Sequence, residues 1–320
     1  MNNYRTSLPQ LDNKLYLTDG GIETTLIFHE GLELPDFAAF HLLQSENGEK
    51  ALQKYFRTYA EIAKRFDTGL ILESATWRAS KDWGARLGYT PEALVDVNRR
   101  AIQMLEDLRN EFESDQTPVV LSGCIGPRGD GYVPGNVMTA QEAEDYHWEQ
   151  IKTFANSGAD MVTAITMNYV EEAIGITRAA KRANIPVAIS FTVETDGNLP
   201  TGQSLKTAIE QVDEATSGYP AYYMINCAHP THFENVVAEG GAWLERIRGV
   251  RANASHRSHA ELNEAPDLDD GNPVELGAQY ASLTKHLSRL NVMGGCCGTD
   301  HRHLEQIAEA CVSLFQPSVE

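Results

Sequence analysis

Short apolar runs alternate along the chain with longer stretches in which apolar positions recur every three or four residues. Runs such as VVLSG at 119–123 and VAISF at 187–191 are apolar at nearly every position, which is typical of strands buried on both faces. The pattern predicts eight strands, at 14–19, 69–73, 118–123, 161–166, 186–192, 221–227, 248–252 and 291–295. Amphipathic helices are predicted between them, at 52–66, 91–112, 140–157, 170–183, 205–217, 273–289 and 301–315.

Alternating strands and helices predict an α/β protein with a parallel sheet. Eight such units favour a single (β/α)₈ TIM barrel, a fold of about 250 residues that often carries insertions. One domain over residues 1–320 therefore fits the chain length. A doubly wound open sheet is the alternative, but the first strand ends in DGGIETT and not in a dinucleotide-binding glycine pattern. The polar stretch at 256–272 is predicted to be a long loop after the seventh strand.

The charge balance narrows the choice of partners. The chain has 26 basic and 45 acidic residues and a net charge of −19, so it repels phosphate backbones and anionic membrane surfaces. We therefore expect no nucleic-acid or membrane partner, although a cationic substrate would be attracted. The first residues lack the apolar stretch of a secretory signal, and no run of 18 apolar residues occurs. A soluble, cytoplasmic protein is expected, with a homo-oligomer possible.

The chain contains five cysteines, at positions 124, 227, 296, 297 and 311. The number is odd, two are adjacent and the expected compartment is reducing, so a disulfide framework is not predicted. Cys227 ends the sixth predicted strand, and Cys296 and Cys297 follow the eighth. Because the carboxyl ends of barrel strands meet around one mouth, we expect these three thiols to face the same space.

Three thiolates at one mouth predict a zinc site with an open fourth position, as in catalytic zinc centres. The glycines around the pair in GGCCG would permit the unusual dihedral angles needed to turn both side chains toward one ion. The alternative is that the cysteines are small buried apolar residues. That interpretation is preferred for Cys124 and Cys311.

Polar residues also fall at the predicted strand ends, where a substrate would bind. The candidates are Asp19, Gly20, Gly21, Glu73, Glu194, Asn226 and Asn253. Trp77, Trp83 and Tyr132 lie near the same mouth and could face a cationic donor, although packing is the more common role of such aromatics. His256, His259, His301 and His303 are expected at the surface, and Asp300 as a helix N-cap.

Several motifs together resemble the homocysteine S-methyltransferase family, which includes the betaine–homocysteine and S-methylmethionine–homocysteine enzymes. They are DGGIETTL at 19–26, IGPRGDGY at 125–132, YHWEQIKTFANSGADM at 146–161, SFTVETDGNLPTG at 190–202, INCAHP at 225–230, RANAS at 251–255 and MGGCCGT at 293–299. The resemblance covers nearly the whole chain. It implies a zinc-bearing barrel in which Cys227, Cys296 and Cys297 bind the metal, and in which Asp19 and its glycines help to hold an amino-acid substrate.

The chain departs from this family after the fourth strand. Family members usually carry Glu-Thr there, and that glutamate binds the substrate's amino group, whereas this chain has Ile165 and Thr166. Isoleucine cannot accept a hydrogen bond from an ammonium group. Glu194 or Glu73 would then substitute, or the acceptor thiol is not homocysteine. The segment ESATW at 73–77 also differs from the threonine- and asparagine-rich family version.

The predicted activity is zinc-dependent methyl transfer from an onium donor, such as S-methylmethionine or betaine, to a thiol, with homocysteine as the leading acceptor. Zinc deprotonates a bound thiol, and a methyl group leaving an onium needs no acid or base, so no catalytic side chain is assigned. Two alternatives remain at this stage. One is a metal-dependent hydrolase that uses the histidine pairs, and the other is a zinc- or thiol-binding barrel without turnover.

Overall fold

A computed structural model of the chain describes residues 4–265 and 267–315, and it confirms the predicted barrel. Eight parallel strands close in sequence order, β1-β2-β3-β4-β5-β6-β7-β8. Their bounds are Tyr16–Leu17 (β1), Gly69–Glu73 (β2), Val119–Ile125 (β3), Met161–Met167 (β4), Val187–Thr192 (β5), Tyr222–Asn226 (β6), Ile247–Ala252 (β7) and Val292–Gly295 (β8). β2 has the predicted bounds, whereas β1 is shorter and pairs with β8 at only two positions, Tyr16↔Val292 and Leu17↔Met293.

Ten α-helices surround the strands in the part of the chain that is described. They are Glu46–Arg65 (α1), Lys81–Arg86 (α2), Pro91–Phe112 (α3), Ala140–Ala155 (α4), Val170–Arg182 (α5), Leu205–Thr216 (α6), Pro230–Ala238 (α7), His259–Glu264 (α8), Pro273–Leu283 (α9) and His301–Cys311 (α10). A π-helical segment spans Thr24–His29 after β1. Short 3₁₀ turns lie at Tyr4–Thr6, Pro9–Leu11, Pro35–Phe37, Ala39–Gln44, Ala242–Arg246 and Val312–Phe315.

The differences from the predicted helices have local causes. α1 begins at Glu46 because the Ser45 side chain caps the helix by accepting a hydrogen bond from the Gly48 amide. The predicted loop at 256–272 contains α8, which opens with a capping box between Ser258 and Glu261. Pro266, in the same stretch, lies outside the described residues. Among the helices that are described, none is long and apolar enough to cross a bilayer.

Two apolar layers place the polar site at one end of the barrel. The larger layer lies between the strands and the surrounding helices. The smaller layer fills the barrel floor, where Leu8 from the N-terminal segment packs with Tyr16, Met161, Tyr222 and Val292. Above this floor the interior becomes polar, with Glu73, Ser122, Thr163 and Ser190 all buried. The opposite, carboxyl end of the strands is therefore where polar chemistry collects.

Candidate active site at the mouth of the barrel

The three predicted zinc cysteines converge at the carboxyl ends of β6 and β8. The Sγ atoms of Cys227, Cys296 and Cys297 all lie within 4.8 Å of one another. Backbone hydrogen bonds to β7 align the two segments, because Cys227 N donates to Arg251 O at 3.1 Å and Cys296 N donates to Ala252 O at 2.8 Å. No other group of three metal-ligating side chains this close occurs among the described residues.

Two of these cysteines are joined by a disulfide, between Cys227 and Cys296. The sequence predicted thiolates and no disulfide pairing, so this bond is a difference from expectation. Its physical reason is proximity, because the ends of β6 and β8 bring these two sulfurs into one space. Cys297 is free, with its Sγ 3.9 Å from that of Cys227. Both bonded sulfurs must be reduced before they can act as thiolates.

The backbone strain at this site lies on a cysteine and not on the glycines before the pair. Cys227 has a φ of 54°, in the left-handed region that non-glycine residues seldom adopt. In GGCCG only Gly298 has a positive φ, of 79°. Gly295 serves close packing instead, because a Cβ there would lie 2.1 Å from Thr299 Oγ1. The prediction that the flanking glycines supply unusual dihedral angles is therefore confirmed for Gly298 and wrong for Gly294 and Gly295.

The spacing of the Cys227 and Cys297 sulfurs fits a tetrahedral ion, and Cys296 can join them once its bond to Cys227 is reduced. Zinc–sulfur bonds of about 2.3 Å at tetrahedral angles place neighbouring sulfurs about 3.8 Å apart, close to the 3.9 Å between Cys227 and Cys297. The surrounding atoms raise the pKa of the Cys297 thiol through desolvation, although part of the residue is open to solvent. A neutral free thiol is thus favoured at this position, and a cation would be needed to hold it as a thiolate.

Tyr132 covers the sulfurs from the loop that follows β3. Its hydroxyl lies 3.3 Å from the Sγ atoms of both Cys227 and Cys297. The His259 ring packs against the Tyr132 ring at 4.1 Å between centroids, and its Nε2 contacts the carbonyl of Cys227. The expectation that His259 is exposed is therefore wrong. His303 is also fully buried, because its ring contacts the Asp300 amide and the Asp270 carbonyl, while Asp300 forms the predicted N-cap.

Asn226, a predicted substrate residue, is engaged by the protein itself. Its Oδ1 accepts hydrogen bonds from Thr166 N at 3.0 Å and Ser190 Oγ at 2.7 Å, and its Nδ2 donates to Thr166 Oγ1 at 2.9 Å. Thr166 has a φ of 66°, so these bonds hold the end of β4 in a strained turn. The same amide lies 4.0 Å from Cys296 Sγ. Asn226 therefore supports the cysteine site from below.

Asp19 belongs to a buried charge network. Arg251 Nη2 lies 2.6 Å from Asp19 Oδ1, and the Tyr55 hydroxyl donates to Asp19 Oδ2 at 2.8 Å. Burial works against the Arg251 charge, but the carboxylates of Asp19 and Glu73 keep its pKa above the usual value. Gly20 accepts a hydrogen bond from Arg251 through its carbonyl. This network connects β7 to the end of β1.

The other predicted substrate residues are dispersed around the mouth. Burial raises the pKa of Glu73 to about 7, and hydrogen bonds from Ser122 and Thr163 oppose the shift. Glu194 lies at the rim, 3.6 Å from His259 Nδ1. Asn253 is buried, with its Oδ1 unpaired among the described residues. Gly21 packs tightly, because a Cβ there would lie 2.6 Å from the Cys296 carbonyl oxygen.

The two remaining cysteines stand apart from the cluster. Cys124 lies near the carboxyl end of β3, beside the interior carboxylates. Burial there raises the pKa of its thiol well above the usual value. Cys311 is fully buried on α10, in the apolar layer between helices and strands. Both positions agree with the interpretation of these residues as small packed side chains.

Arg78 is a feature of the mouth that the sequence analysis missed. Its guanidinium lies between two indole rings, 3.9 Å from the Trp77 centroid and 3.7 Å from the Trp83 centroid. One face of each tryptophan is therefore occupied by the protein's own cation. Burial lowers the pKa of Arg78 to about 10, and the carboxylates of Asp130 and Glu23 oppose the shift. The segment WRASKDW at 77–83 contained the signal, a cation placed among aromatic residues.

Comparisons of sequence and of structure with known proteins point to the same family. The model of a protein family described as homocysteine S-methyltransferase matches residues 16–311. A selenocysteine Se-methyltransferase from Brassica oleracea var. italica is 25% identical over 328 residues, which cover 94% of this chain and 91% of that protein. The oxidized form of the homocysteine methyltransferase MmuM from Escherichia coli superposes with a TM-score of 0.73 at 15% identity. The metallated form gives 0.71 at 14% identity, and each comparison covers 96% of this chain and 99% of the other.

Proposed function

The chain belongs to the homocysteine S-methyltransferase family, and from that premise we propose that it is a zinc-dependent methyltransferase with a thiol acceptor. The acceptor we propose is homocysteine, which would become methionine, and the donor is an onium compound such as S-methylmethionine or betaine. The proposal treats the chain as one catalytic barrel, since the family match and the barrel elements both run from β1 to α10.

The observation that carries the proposal is the convergence of three sulfurs from two strand ends within 4.8 Å. Reduced Cys227, Cys296 and Cys297 would supply three thiolates to one zinc ion and leave a fourth position for a substrate thiol. Zinc bound there would keep the substrate sulfur deprotonated, although a free alkyl thiol has a pKa near 8.5. The metallated relative with the same fold is consistent with this assignment.

The chemical step needs only positioning from the protein. The substrate thiol would release its proton to solvent on binding, its sulfur would then attack the donor methyl carbon in line, and the new S–CH₃ bond would form as the bond from methyl to the onium atom breaks. The leaving group becomes neutral and takes no proton, so no acid or base is required. The buried residues around the site, Asn226 and Tyr132 among them, would fix the sulfurs and restrict water.

A metal-dependent hydrolase is less consistent with the described residues. Such enzymes use histidine and carboxylate ligands that leave the metal acidic enough to activate water. The histidines at 229, 232 and 256 pack near one another, with ring centroids 6.1 and 6.3 Å apart from His229. They do not form a ligand group with carboxylates in the part of the chain that is described. An all-sulfur site favours thiol chemistry.

The proposal is tested with protein that has been reduced and then loaded with zinc. Transfer of a labelled methyl group from several onium donors to homocysteine is measured together with zinc content. We expect Cys297→Ala to lose both stoichiometric zinc and methyl transfer, because two thiolates cannot hold the ion in competition with a chelator. Cys311→Ala, which alters a buried cysteine outside the site, is the matched control. Full transfer by Cys297→Ala would refute the assigned zinc site.

A further inference from the structure

Arg78 is a buried cation without a carboxylate partner within ion-pair distance among the described residues. Its side chain is held by the two tryptophan rings and by one hydrogen bond, from Nη1 to the Gly129 carbonyl at 3.0 Å. The residue is only 5% exposed, and its Nε makes no hydrogen bond with any described residue. A buried charge of this kind is costly unless something pairs with it. The Nε–H of the guanidinium has no partner among the described residues and can donate to a carboxylate oxygen.

The packing of Trp77 connects Arg78 with the loop that covers the cysteines. Trp77 Nε1 donates to the Ile165 carbonyl at 3.4 Å, so the ring lies over the end of β4. A Cβ on Gly131 would lie 3.3 Å from the Trp77 ring, and the next residue is Tyr132, whose hydroxyl contacts two of the cysteine sulfurs. Two side chains, Trp77 and Tyr132, therefore connect Arg78 with the cysteine sulfurs.

Glu23 lies in the segment that follows β1, directly before the π-helical segment Thr24–His29. The adjacent Thr24 accepts a hydrogen bond from Gly298 N at 3.0 Å, which packs this segment against the cysteine loop. Desolvation raises the pKa of Glu23 to about 7, while the cations Arg78 and Arg251 oppose the shift. Two other carboxylates act on Arg78, and of these Asp130, the stronger, already accepts hydrogen bonds from the amides of Tyr132 and Val133, while Asp36 is exposed. Glu23 and Arg78 thus carry opposite charges that act on each other, and the segment of Glu23 packs against the cysteine loop.

We propose that Glu23 and Arg78 together bind the zwitterion of an α-amino acid substrate, with its ammonium group on Glu23 and its carboxylate on Arg78. The inference rests on the proposed function, because the bound amino acid would carry the reacting sulfur. It accounts for the missing carboxylate at Ile165, since the ammonium partner is supplied from the segment after β1 instead of from β4. Glu73 and Glu194, the substitutes expected from the sequence, face Ser122 and Thr163 inside the barrel and His259 at the rim.

Binding of truncated ligands tests each half of the pair by calorimetry on reduced, zinc-loaded protein. The ligands are homocysteine, 3-aminopropane-1-thiol, which lacks the carboxylate, and 4-mercaptobutyrate, which lacks the amino group. We expect Arg78→Gln to weaken homocysteine and 4-mercaptobutyrate roughly 10- to 100-fold and to leave 3-aminopropane-1-thiol unchanged. Glu23→Gln should do the reverse, weakening the amine and sparing 4-mercaptobutyrate. Arg78→Lys, which keeps the charge, should lose less than Arg78→Gln.

A fourth ligand, S-methylmethionine, separates the thiol acceptor from the sulfonium donor as the source of the zwitterion. If the Arg78 and Glu23 variants lose binding of S-methylmethionine alone, the residue pair binds the donor. If they lose binding of homocysteine, the residue pair binds the acceptor. Matched controls are Arg86→Gln, an exposed arginine on the Trp83 ring, and Glu30→Gln, an exposed glutamate paired with Lys54. Zinc content and circular dichroism verify that each variant is folded.

Equal weakening of all ligands by both variants, or no weakening at all, would overturn the zwitterion site. This result can be told apart from failure of the proposed function. If the unaltered protein binds amino-acid ligands selectively through Arg78 and Glu23 but transfers no methyl group, the activity fails and the site stands. If it transfers methyl groups with undiminished affinity in both variants, the activity stands and the site fails. If it binds none of the four ligands, the inference is rejected.

Discussion

At the residue scale, the polar side chains of the mouth divide into those that the protein satisfies and those left for a ligand. Asp19 and Asn226 are bound by neighbouring groups of the chain. Arg78 keeps an Nε that is unpaired among the described residues in spite of its burial. Residue type and position at a strand end do not separate these two cases. The presence or absence of hydrogen-bond and ion-pair partners does separate them. Buried polar groups without partners within the protein are the better candidates for ligand binding.

Glu73 gives a prediction about pH. Its pKa in the folded chain is about 7, raised by burial from 4.5, so the folded state retains a proton that the unfolded state releases between these values. Stability should therefore fall as pH rises from about 4.5 to 7, by up to about 3 kcal/mol from this group. Glu73→Gln should flatten that part of the curve. Urea unfolding at pH 5, 6, 7 and 8 measures the free energy of unfolding across this range.

The control for this prediction is Glu111→Gln, because Glu111 is exposed and Arg57 lowers its pKa, so it does not titrate in that range. Its stability curve should run parallel to that of the unaltered protein. A Glu73→Gln curve that is equally parallel would show that Glu73 is already ionised below pH 5 in the folded chain.

At the scale of elements, the site depends on how strand ends are held. β4 ends in the strained turn at Thr166, and β6 is followed by the strained Cys227. Asn226 lies at the end of β6 and binds the end of β4 directly, so one amide joins the two segments. The turn that carries Cys227 toward the other sulfurs is therefore braced by a side chain of its own strand.

Asn226→Ala should destabilise the fold and loosen the cysteine site together. It would leave the Thr166 amide and the Ser190 hydroxyl buried without this partner, at a cost of about 1–3 kcal/mol for each group. Urea unfolding measures the stability, and competition with a chelator measures zinc affinity. Asn156→Ala, at an exposed amide that bonds only to the Lys152 carbonyl, is the comparison. Equal losses in the two variants would contradict a bracing role for Asn226.

At the scale of the whole molecule, closure of the barrel depends on the short strand β1. β1 and β8 meet through only two residue pairs. Arg251 reinforces this junction from β7, because its guanidinium contacts Asp19, the Gly20 carbonyl and the Gly295 carbonyl. Three strands are thus connected by one buried cation, immediately beneath the mouth.

Arg251→Met should destabilise the protein by about 3–5 kcal/mol, because it leaves the Asp19 carboxylate buried without its cation. Arg57→Met provides the matched surface change. Arg57 forms a solvent-exposed ion pair with Glu111, so its loss should change the free energy of unfolding little. Both are compared by urea unfolding at pH 7. Closure would have to rest on other contacts if Arg251→Met were as stable as Arg57→Met.

The sequence by itself determined the barrel and the three cysteines, because strand and helix periodicities are local and parallel strands bring their carboxyl ends to one face. β2 and α3 have the predicted bounds for the same reason. Only the tertiary structure decided that Cys227 and Cys296 are joined, that His303 is buried and that Asp19 is paired with Arg251. Each of these depends on contacts between residues far apart in the chain, and burial and pairing are properties of those contacts and not of the residue types.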